Sequence, residues 1–351
     1  MHGNSAFERM LVDFRALGGV AVNIQQRIGS YGWGLFPIET GAPCTLHTPE
    51  KLLIDEGHVV LVGEDLVVDP AHEIDAGVRA FFNNYQKHFS WGVEGQKSVN
   101  AFESGLRALP EPLKRRLTEL GFINLEVSKD LEWPEVLRRS FLNTRRIAYK
   151  NRIVIMPLIE LINHSPSAGG YDVRDGVKVA GQFDGEILVN YSSACDSLAR
   201  FCTYGFTGPE QCAFSLPIKV QLTQGQSLSV GLGYSETLMC DGLALPKHEF
   251  KDGVWNLSHL RIGQKSAPRL PRTLLRRVLK DYPVSLVDET YERIRSGNLL
   301  ALADLLEAAD GVEGEVAAQL RSAIRWQLKA MSQSFGAREP ASAKFKPEAV
   351  L

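Results

Sequence analysis

The chain has 351 residues, of which 44% are hydrophobic and 23% are charged. This length is enough for two or three hydrophobic cores, and the composition is that of a folded chain rather than a disordered one. A formal net charge of −2 excludes a strongly basic nucleic-acid binder, and no apolar run reaches the roughly 20 residues that a membrane helix needs.

The first part of the chain predicts short strands. Its N-terminal stretch, MHGNSAFERMLVDF, lacks a basic start followed by an apolar run, so we expect no signal peptide. Residues 19–69 contain apolar segments such as VAVNIQQ and HVVLVGEDLVV, each bounded by glycine, proline or aspartate. Short apolar runs separated by such turn residues are typical of strands.

Residues 71–121 have the periodicity of helices instead. Apolar residues recur at helical spacing within 74–89, and the segments 98–109 and 111–122 predict two further helices. The second of these has Pro112 near its start and Gly121 past its end. Residues 133–147, WPEVLRRSFLNTRRI, predict another helix.

Strands return and are followed by helices. RIVIMPL, VKVA, EILVNYS and PIKVQLT extend the predicted strands to about residue 232, and a GxG at Gly231–Gly233 is typical of a turn. From residue 268 the pattern is helical, with Val316, Leu320, Ile324 and Leu328 one turn apart. Since strands and helices do not alternate throughout, a doubly wound α/β fold is excluded.

The five cysteines, at 44, 195, 202, 212 and 240, form no close CxxC pair. This usage indicates reduced thiols in the cytoplasm and predicts no metal site.

Four stretches carry residues suited to chemistry. Gly32, Trp33 and Gly34 precede an apolar strand, LRRSF carries an arginine pair, and Asn163, His164 and Ser165 end the run PLIELINHS. GEILVNYSSACDSLARFCTYGF places Tyr191 on a predicted strand and Tyr204 in a YGF triplet. Taken singly, each has an ordinary structural explanation: a hairpin turn, a solvated helix face, an Asn–Ser turn or core packing.

Taken together and in order, the four stretches resemble the SET-domain methyltransferases, in the subgroup related to the Rubisco large-subunit lysine methyltransferase. The matching positions are Gly32–Phe36, Pro157–Ser165, Gly185–Tyr191 and Tyr204–Phe206. The resemblance implies an α+β fold: a β-rich SET core of several short sheets with a helical insert, followed by a mostly α-helical C-terminal domain. The implied divisions are 1–70 and 133–207 for the two parts of the core, 71–132 for the insert, 208–335 for the C-terminal domain and 336–351 for a loose tail.

The resemblance also implies a site for S-adenosylmethionine (AdoMet) and its product S-adenosylhomocysteine (AdoHcy). Cofactor contacts would come from Gly32, Trp33, Gly34, Arg139, Asn163 and His164. Arg139 would bind the carboxylate as a fork of donors. Tyr204 would be the catalytic tyrosine that positions the methyl group, and Tyr191, Phe201 and Phe206 would line the acceptor channel.

The reaction implied is methyl transfer to a neutral lysine amine of a non-histone protein, which would dock on the C-terminal helices. No nucleic acid, membrane or metal is expected to take part. The sequence departs from the family at Glu160, where aspartate is usual, at Ser192, where glycine is usual, and at Ser197, where asparagine is usual. Two alternatives therefore stay open. One is transfer to another nucleophile, such as a small-molecule amine, a histidine or a terminal amine, and the other is an inactive SET-like binding module.

Overall fold

The computed structural model describes residues 3–123, 130–192, 195–232 and 246–333. Its helices are α1 (Gly3–Ala16), α2 (Ala76–Phe89), α3 (Val93–Ala108), α4 (Glu111–Glu119), α5 (Trp133–Arg145), α6 (Ser197–Tyr204), α7 (Leu270–Val278), α8 (Val284–Ala309) and α9 (Glu315–Gln333). The predicted helices within 74–122 and at 133–147 are confirmed, whereas α1 and α6 were not predicted.

The strands are short and form several small sheets. They are β1 (Val20–Val22), β2 (Gln25–Gly29), β3 (Gly32–Phe36), β4 (Pro43–Thr48), β5 (Ile54–Asp55), β6 (Val59–Val62), β7 (Asp65–Val68), β8 (Arg146–Tyr149), β9 (Arg152–Ile155), β10 (Asn163–His164), β11 (Val177–Gln182), β12 (Leu188–Val189), β13 (Cys212–Phe214), β14 (Ile218–Thr223), β15 (Gln226–Val230), β16 (His248–Lys251), β17 (Val254–Leu257) and β18 (Arg261–Gln264). The predicted α+β class with several short sheets is thereby confirmed.

The first core contains the sheets formed by strands that precede the helices α2–α4 in the sequence and by strands that follow them. Strands β1, β4 and β11 form one sheet, β5, β9 and β8 a second, and β2–β3 and β6–β7 are hairpins. Helix α1 packs against this core because Phe7, Met10, Leu11 and Phe14, which recur at helical spacing, are all buried. The sheets that follow the insert thus complete those that precede it, since β11 pairs with β4 and β9 with β5.

The second core lies around the C-terminal helices and a four-stranded sheet in the order β14-β15-β17-β16. In α9, Leu320 and Ile324 are fully buried, as their spacing predicted. Helix α6 belongs to this core as well, because Leu198 and Phe201 lie in the same apolar cluster as α8 and α9. The domain divisions expected from the sequence stay predictions, and both Gly233 and the tail from 336 lie outside the described residues.

Asp196 fixes the start of α6 within the second core. Its fully buried carboxylate accepts hydrogen bonds from the backbone of Ala199 at 2.9 Å and of Phe214 at 3.0 Å, and from the Gln327 amide at 2.6 Å. Because an N-cap carboxylate satisfies a free helix N–H, this residue both starts α6 and fixes it against β13 and α9. None of the helices within the described ranges is long and apolar enough to cross a membrane.

Candidate functional site

A tight hairpin forms one wall of the candidate site. Strands β2 and β3 pair from Gln25–Phe36 to Gly29–Gly32, which leaves a two-residue turn, and Gly32 has a φ of +86° that favours glycine. A Cβ atom on Gly34 would lie 2.2 Å from Glu186 Oε1 and 2.8 Å from Asn163 Nδ2. The absence of a side chain at 34 therefore allows these two polar groups to approach the hairpin backbone.

Asn163 connects the hairpin to the strand pair β10–β12. Its Nδ2 donates to the Trp33 carbonyl at 3.1 Å and to Glu186 Oε1 at 2.6 Å, while the Ile187 N–H donates to the Leu35 carbonyl at 2.8 Å. Both amide hydrogens are thus used. The Asn163 Oδ1 has no donor among the described residues and can accept from a ligand.

His164 points to the opposite side of β10, as consecutive residues of a strand do. Its Nδ1 accepts the Tyr191 backbone N–H at 3.2 Å, and its Nε2 lies 3.1 Å from Glu210 Oε1. A nitrogen that accepts an N–H carries no proton, so this geometry assigns the tautomer in which Nε2–H donates to Glu210. The pair Asn163–His164 therefore links the hairpin to an aromatic cluster.

This aromatic cluster consists of His164, Tyr191, Tyr204 and Phe206. The Tyr204 ring centroid lies 5.3 Å from that of Tyr191 and 5.8 Å from that of Phe206, and His164 lies 5.2 Å from Tyr191. Tyr204 is the last residue of α6, and Gly205 ends the helix with a φ of +75°, which turns Phe206 back towards the other rings. Tyr191 lies two residues beyond β12 and not on a strand as predicted.

The two tyrosine hydroxyls differ in their partners. The Tyr191 hydroxyl donates to the Ile162 carbonyl at 2.7 Å, whereas no described residue hydrogen-bonds the hydroxyl of the half-buried Tyr204. Burial raises the pKa of the Tyr204 phenol to about 12, the nearby Cys195 thiol adds to the rise, and Arg200 opposes it. Tyr204 is therefore a phenol at neutral pH, which suits positioning rather than action as a general base.

Two further residues of the cluster were not predicted. The Arg145 guanidinium, at the end of α5, lies near enough to Tyr191 and Tyr204 to oppose the rise of their pKa values, and its buried Nε has no partner in the described part of the chain. Burial raises the pKa of the Tyr171 phenol well above its usual value, with Tyr191 and Tyr204 among its neighbours. An unpartnered guanidinium nitrogen beside the site indicates a place for an anionic ligand group.

A buried ion pair lies behind the tyrosines. The Arg200 Nε donates to Glu210 Oε1 at 2.9 Å, and the two side chains are 0% and 3% exposed. The Arg200 guanidinium carbon lies 5.2 Å from the centroid of the Tyr204 ring and 6.0 Å from that of Tyr191. Neither Arg200 nor Glu210 was predicted from the sequence as a site residue.

Two predicted residues are not brought to the cluster. Arg139 lies on an exposed face of α5, where its Nε donates to Glu135 at 2.9 Å, and it lines a separate cavity of about 610 Å³ together with Cys202 and Thr203. Phe201 is fully buried in the second core, where its ring lies 5.7 Å from that of Phe102. The geometry thus gives Arg145 rather than Arg139 the place beside the tyrosines.

Two of the three residues that depart from the expected motifs, Glu160 and Ser197, have structural roles. Glu160 is buried and accepts hydrogen bonds from the side chains of Tyr85, Gln86 and Ser90. Ser197 is also fully buried, and its hydroxyl donates to the Gly208 carbonyl at 2.7 Å. In the described ranges, no group of three or more His, Cys, Asp or Glu side chains is placed to hold a metal ion.

Comparisons with known proteins give one set of similar structures. No protein-family model and no curated protein matches the sequence. The chain is similar to the SET domain of LSMT bound to lysine and AdoHcy, with a TM-score of 0.44, 13% identity, and 94% of this chain and 90% of the other covered. The same domain bound to methyl-lysine and AdoHcy has a TM-score of 0.43, and Rubisco LSMT bound to AdoMet has one of 0.40, both at 13% identity and with the same coverage.

Proposed function

We propose that the protein is an AdoMet-dependent methyltransferase that methylates a lysine side-chain amine of a non-histone protein. The observation that best supports this proposal is the set of hydrogen bonds that the neighbouring residues Asn163 and His164 make on opposite sides of β10. It joins a glycine-lined hairpin, with unused acceptors, to a cluster of tyrosines. A donor with a charged amino-acid end and a reactive methyl group needs both surroundings, one polar and one apolar.

The polar side suits the amino-acid end of AdoMet. The Asn163 Oδ1 and the Trp33 carbonyl, whose oxygen has a second lone pair, are acceptors for an ammonium group. The Arg145 guanidinium, beside the tyrosines, has a buried Nε without a partner among the described residues and is a donor for a carboxylate. When bound, AdoMet would supply an electrophilic methyl group on a sulfonium.

The apolar side suits a neutral amine. A lysine in water has a pKa near 10.4, so less than about one in a thousand is uncharged at pH 7. Removing water from the amine disfavours its charged form and lowers that pKa. In the proposed site, the rings of Tyr191 and the partly exposed Phe206 cover the bound amine. The Tyr204 hydroxyl, which no described residue hydrogen-bonds, contacts the methyl group through weak C–H···O interactions.

The partner and the compartment belong to the same proposal. We infer that the substrate protein docks on the helices α7–α9 and that the enzyme acts in the cytoplasm. No disulfide joins two cysteines within the described residues, which supports a reducing compartment, whereas Cys240 lies outside those residues. A second candidate keeps the donor but changes the acceptor, because Ser192 stands directly after the channel residue Tyr191.

Two measurements test the proposal. A thermal shift assay with AdoHcy tests the donor site, since ligand at 100 times its Kd should stabilise the protein by about 2.7 kcal/mol. Labelled AdoMet incubated with the protein and a cell lysate tests the acceptor by mass spectrometry. Label on lysine supports the proposal, label only in small molecules supports the second candidate, and absence of any AdoHcy shift would indicate a binding module.

A further inference from the structure

Glu210 occupies the middle of a buried chain of three side chains. Its Oε1 accepts from His164 Nε2 at 3.1 Å and from Arg200 Nε at 2.9 Å, and the three side chains are at most 5% exposed. Burial raises the pKa of the Glu210 carboxyl, but hydrogen bonds from His164 and the charge of Arg200 outweigh it and leave the pKa below its usual value. The carboxylate is therefore charged at neutral pH.

The two outer side chains of this group, His164 and Arg200, bind backbone groups of two consecutive residues, Tyr191 and Ser192. His164 Nδ1 accepts the N–H of Tyr191, and Arg200 Nη2 donates to the carbonyl of Ser192 at 3.2 Å. The Tyr191–Ser192 segment is thus bound on both sides through side chains that meet at Glu210. The same Arg200 lies 5.2 Å from the Tyr204 ring, so Glu210 also fixes a cation against the second tyrosine.

Charged groups surround the tyrosine pair from several elements. Those that act on Tyr191 or Tyr204 are Arg145 from α5, Arg200 from α6, Glu160, Glu186 and Cys195. Glu210 neutralises the nearest cation without contacting the rings in the described structure. Removing its charge alone would leave the Arg200 guanidinium buried and uncompensated.

We propose that Glu210 is a positioning residue of the acceptor channel. Glu210 holds Tyr191 in place through His164, and its carboxylate balances the positive charge of Arg200 next to the Tyr204 ring. The inference rests on the proposed function, because it assumes that an amine enters between these rings. When Glu210 is charged, its carboxylate offsets the positive charge of Arg200 next to the rings. Without the charge of Glu210, Arg200 repels a protonated amine and shifts it towards its neutral, reactive form.

The test measures the protonation of a bound amine. The probe is Nα-acetyl-lysine amide labelled with ¹³C at Cε, bound to the full chain saturated with AdoHcy, and its ¹³C shift is followed against pH. For Glu210→Gln we expect the pKa of the bound amine to fall by about one unit relative to the wild type. A unit charge about 10 Å away at an effective dielectric constant near 20 produces a shift of that order.

Three further variants complete the design. Arg200→Gln should raise the pKa of the bound amine by a similar amount, and the double variant Arg200→Gln with Glu210→Gln should return it to near the wild-type value. Asp65→Asn removes a carboxylate paired with Lys87 outside the proposed site and docking surface and should leave the pKa of the bound amine unchanged. Because Arg200→Gln has the opposite expected sign, it decides the question if Glu210→Gln does not fold.

The outcomes are distinguishable. Folded Glu210→Gln and Arg200→Gln variants that bind AdoHcy as the wild type does, yet leave the pKa of the bound amine unchanged, would overturn the positioning role alone. A wild-type protein that does not bind AdoHcy would overturn the proposed function and this inference with it, whereas one that binds AdoHcy but not the probe would overturn this inference alone.

Discussion

The two tyrosine hydroxyls offer a matched pair of variants, because each loses one oxygen and keeps its ring. Tyr204→Phe removes a hydroxyl that no described residue hydrogen-bonds. Tyr191→Phe removes the donor to the Ile162 carbonyl, which lies 2.7 Å away. If the first hydroxyl serves the reaction and the second serves the fold, the two variants should fail in different ways.

The magnitudes follow from these contacts. Tyr204→Phe should change the free energy of unfolding by less than about 0.5 kcal/mol, whereas Tyr191→Phe leaves a buried carbonyl without its donor and should cost about 1–3 kcal/mol. Loss of a group that acts mainly in the transition state should lower kcat by about 10²-fold or more for Tyr204→Phe. The Kd for AdoHcy should change by less than about threefold in the same variant, since the hydroxyl belongs to the acceptor side.

The assays are chemical denaturation, calorimetric binding of AdoHcy, and methyl transfer to the acceptor found in the lysate. A Tyr204→Phe variant whose turnover and AdoHcy affinity fall by the same factor would refute the division between donor and acceptor sides. So would a Tyr191→Phe variant that keeps full stability but loses as much turnover as Tyr204→Phe.

Three other predictions concern the donor side and the second core. Gly34→Ala should weaken AdoHcy binding by about tenfold or more, because its Cβ would lie 2.2 Å from Glu186 Oε1, whereas Gly57→Ala, with nothing within 4 Å of its Cβ, should not. In calorimetry, Arg145→Gln should weaken AdoHcy binding by about tenfold or more, since hydrogen bonds to charged groups contribute about 1.5–3 kcal/mol. Arg139→Gln should weaken it by less than about twofold. Equal effects of the two variants would contradict the placing of Arg145 at the carboxylate of the ligand. Burial, with Arg261 nearby, lowers the pKa of His259 to about 4. Between about pH 6.5 and about pH 4, His259 is therefore protonated in the unfolded chain but not in the folded one. The free energy of unfolding should fall by about 1–3 kcal/mol over this range. This loss should be absent from the denaturation curves of His259→Gln.

Periodicity predicted α2–α5 and α9, whereas α1 was not predicted although its buried residues Phe7, Met10 and Leu11 have helical spacing too. The predicted helix at the end of the chain was found because its buried positions recur every turn. The helical pattern from residue 268 includes α8, although Gly297 lies near the middle of that helix, where glycine is unfavourable. In the structure, a Cβ at Gly297 would lie 2.5 Å from the Ile218 side chain, so the glycine allows β14 to approach α8 closely. Such a contact joins residues about 80 positions apart and leaves no local signal.

The choice between two arginines of one helix shows how much of the site the sequence contained. Both Arg139 and Arg145 lie on α5, but six positions place them about 120° apart around the axis. Phe141 is buried in the first core, and Arg145, four positions later, lies on the same face with its guanidinium 5.2 Å from that ring. A buried aromatic one turn earlier was therefore the available signal, whereas the match to a short motif favoured the exposed Arg139.

The helical insert and the site are physically coupled through Glu160. Tyr85 and Gln86 in α2 and Ser90 just after it donate to this one carboxylate, which precedes Asn163 by three positions. Burial raises the pKa of the Glu160 carboxyl, and the charge of Arg145 opposes that rise. The insert thus holds the segment that leads into Asn163 and acts on the arginine beside the tyrosines. The sequence shows only that Glu160 stands where an aspartate is usual. It does not show the role of this carboxylate, because its hydrogen-bond donors lie about 70 residues earlier, in and just after α2.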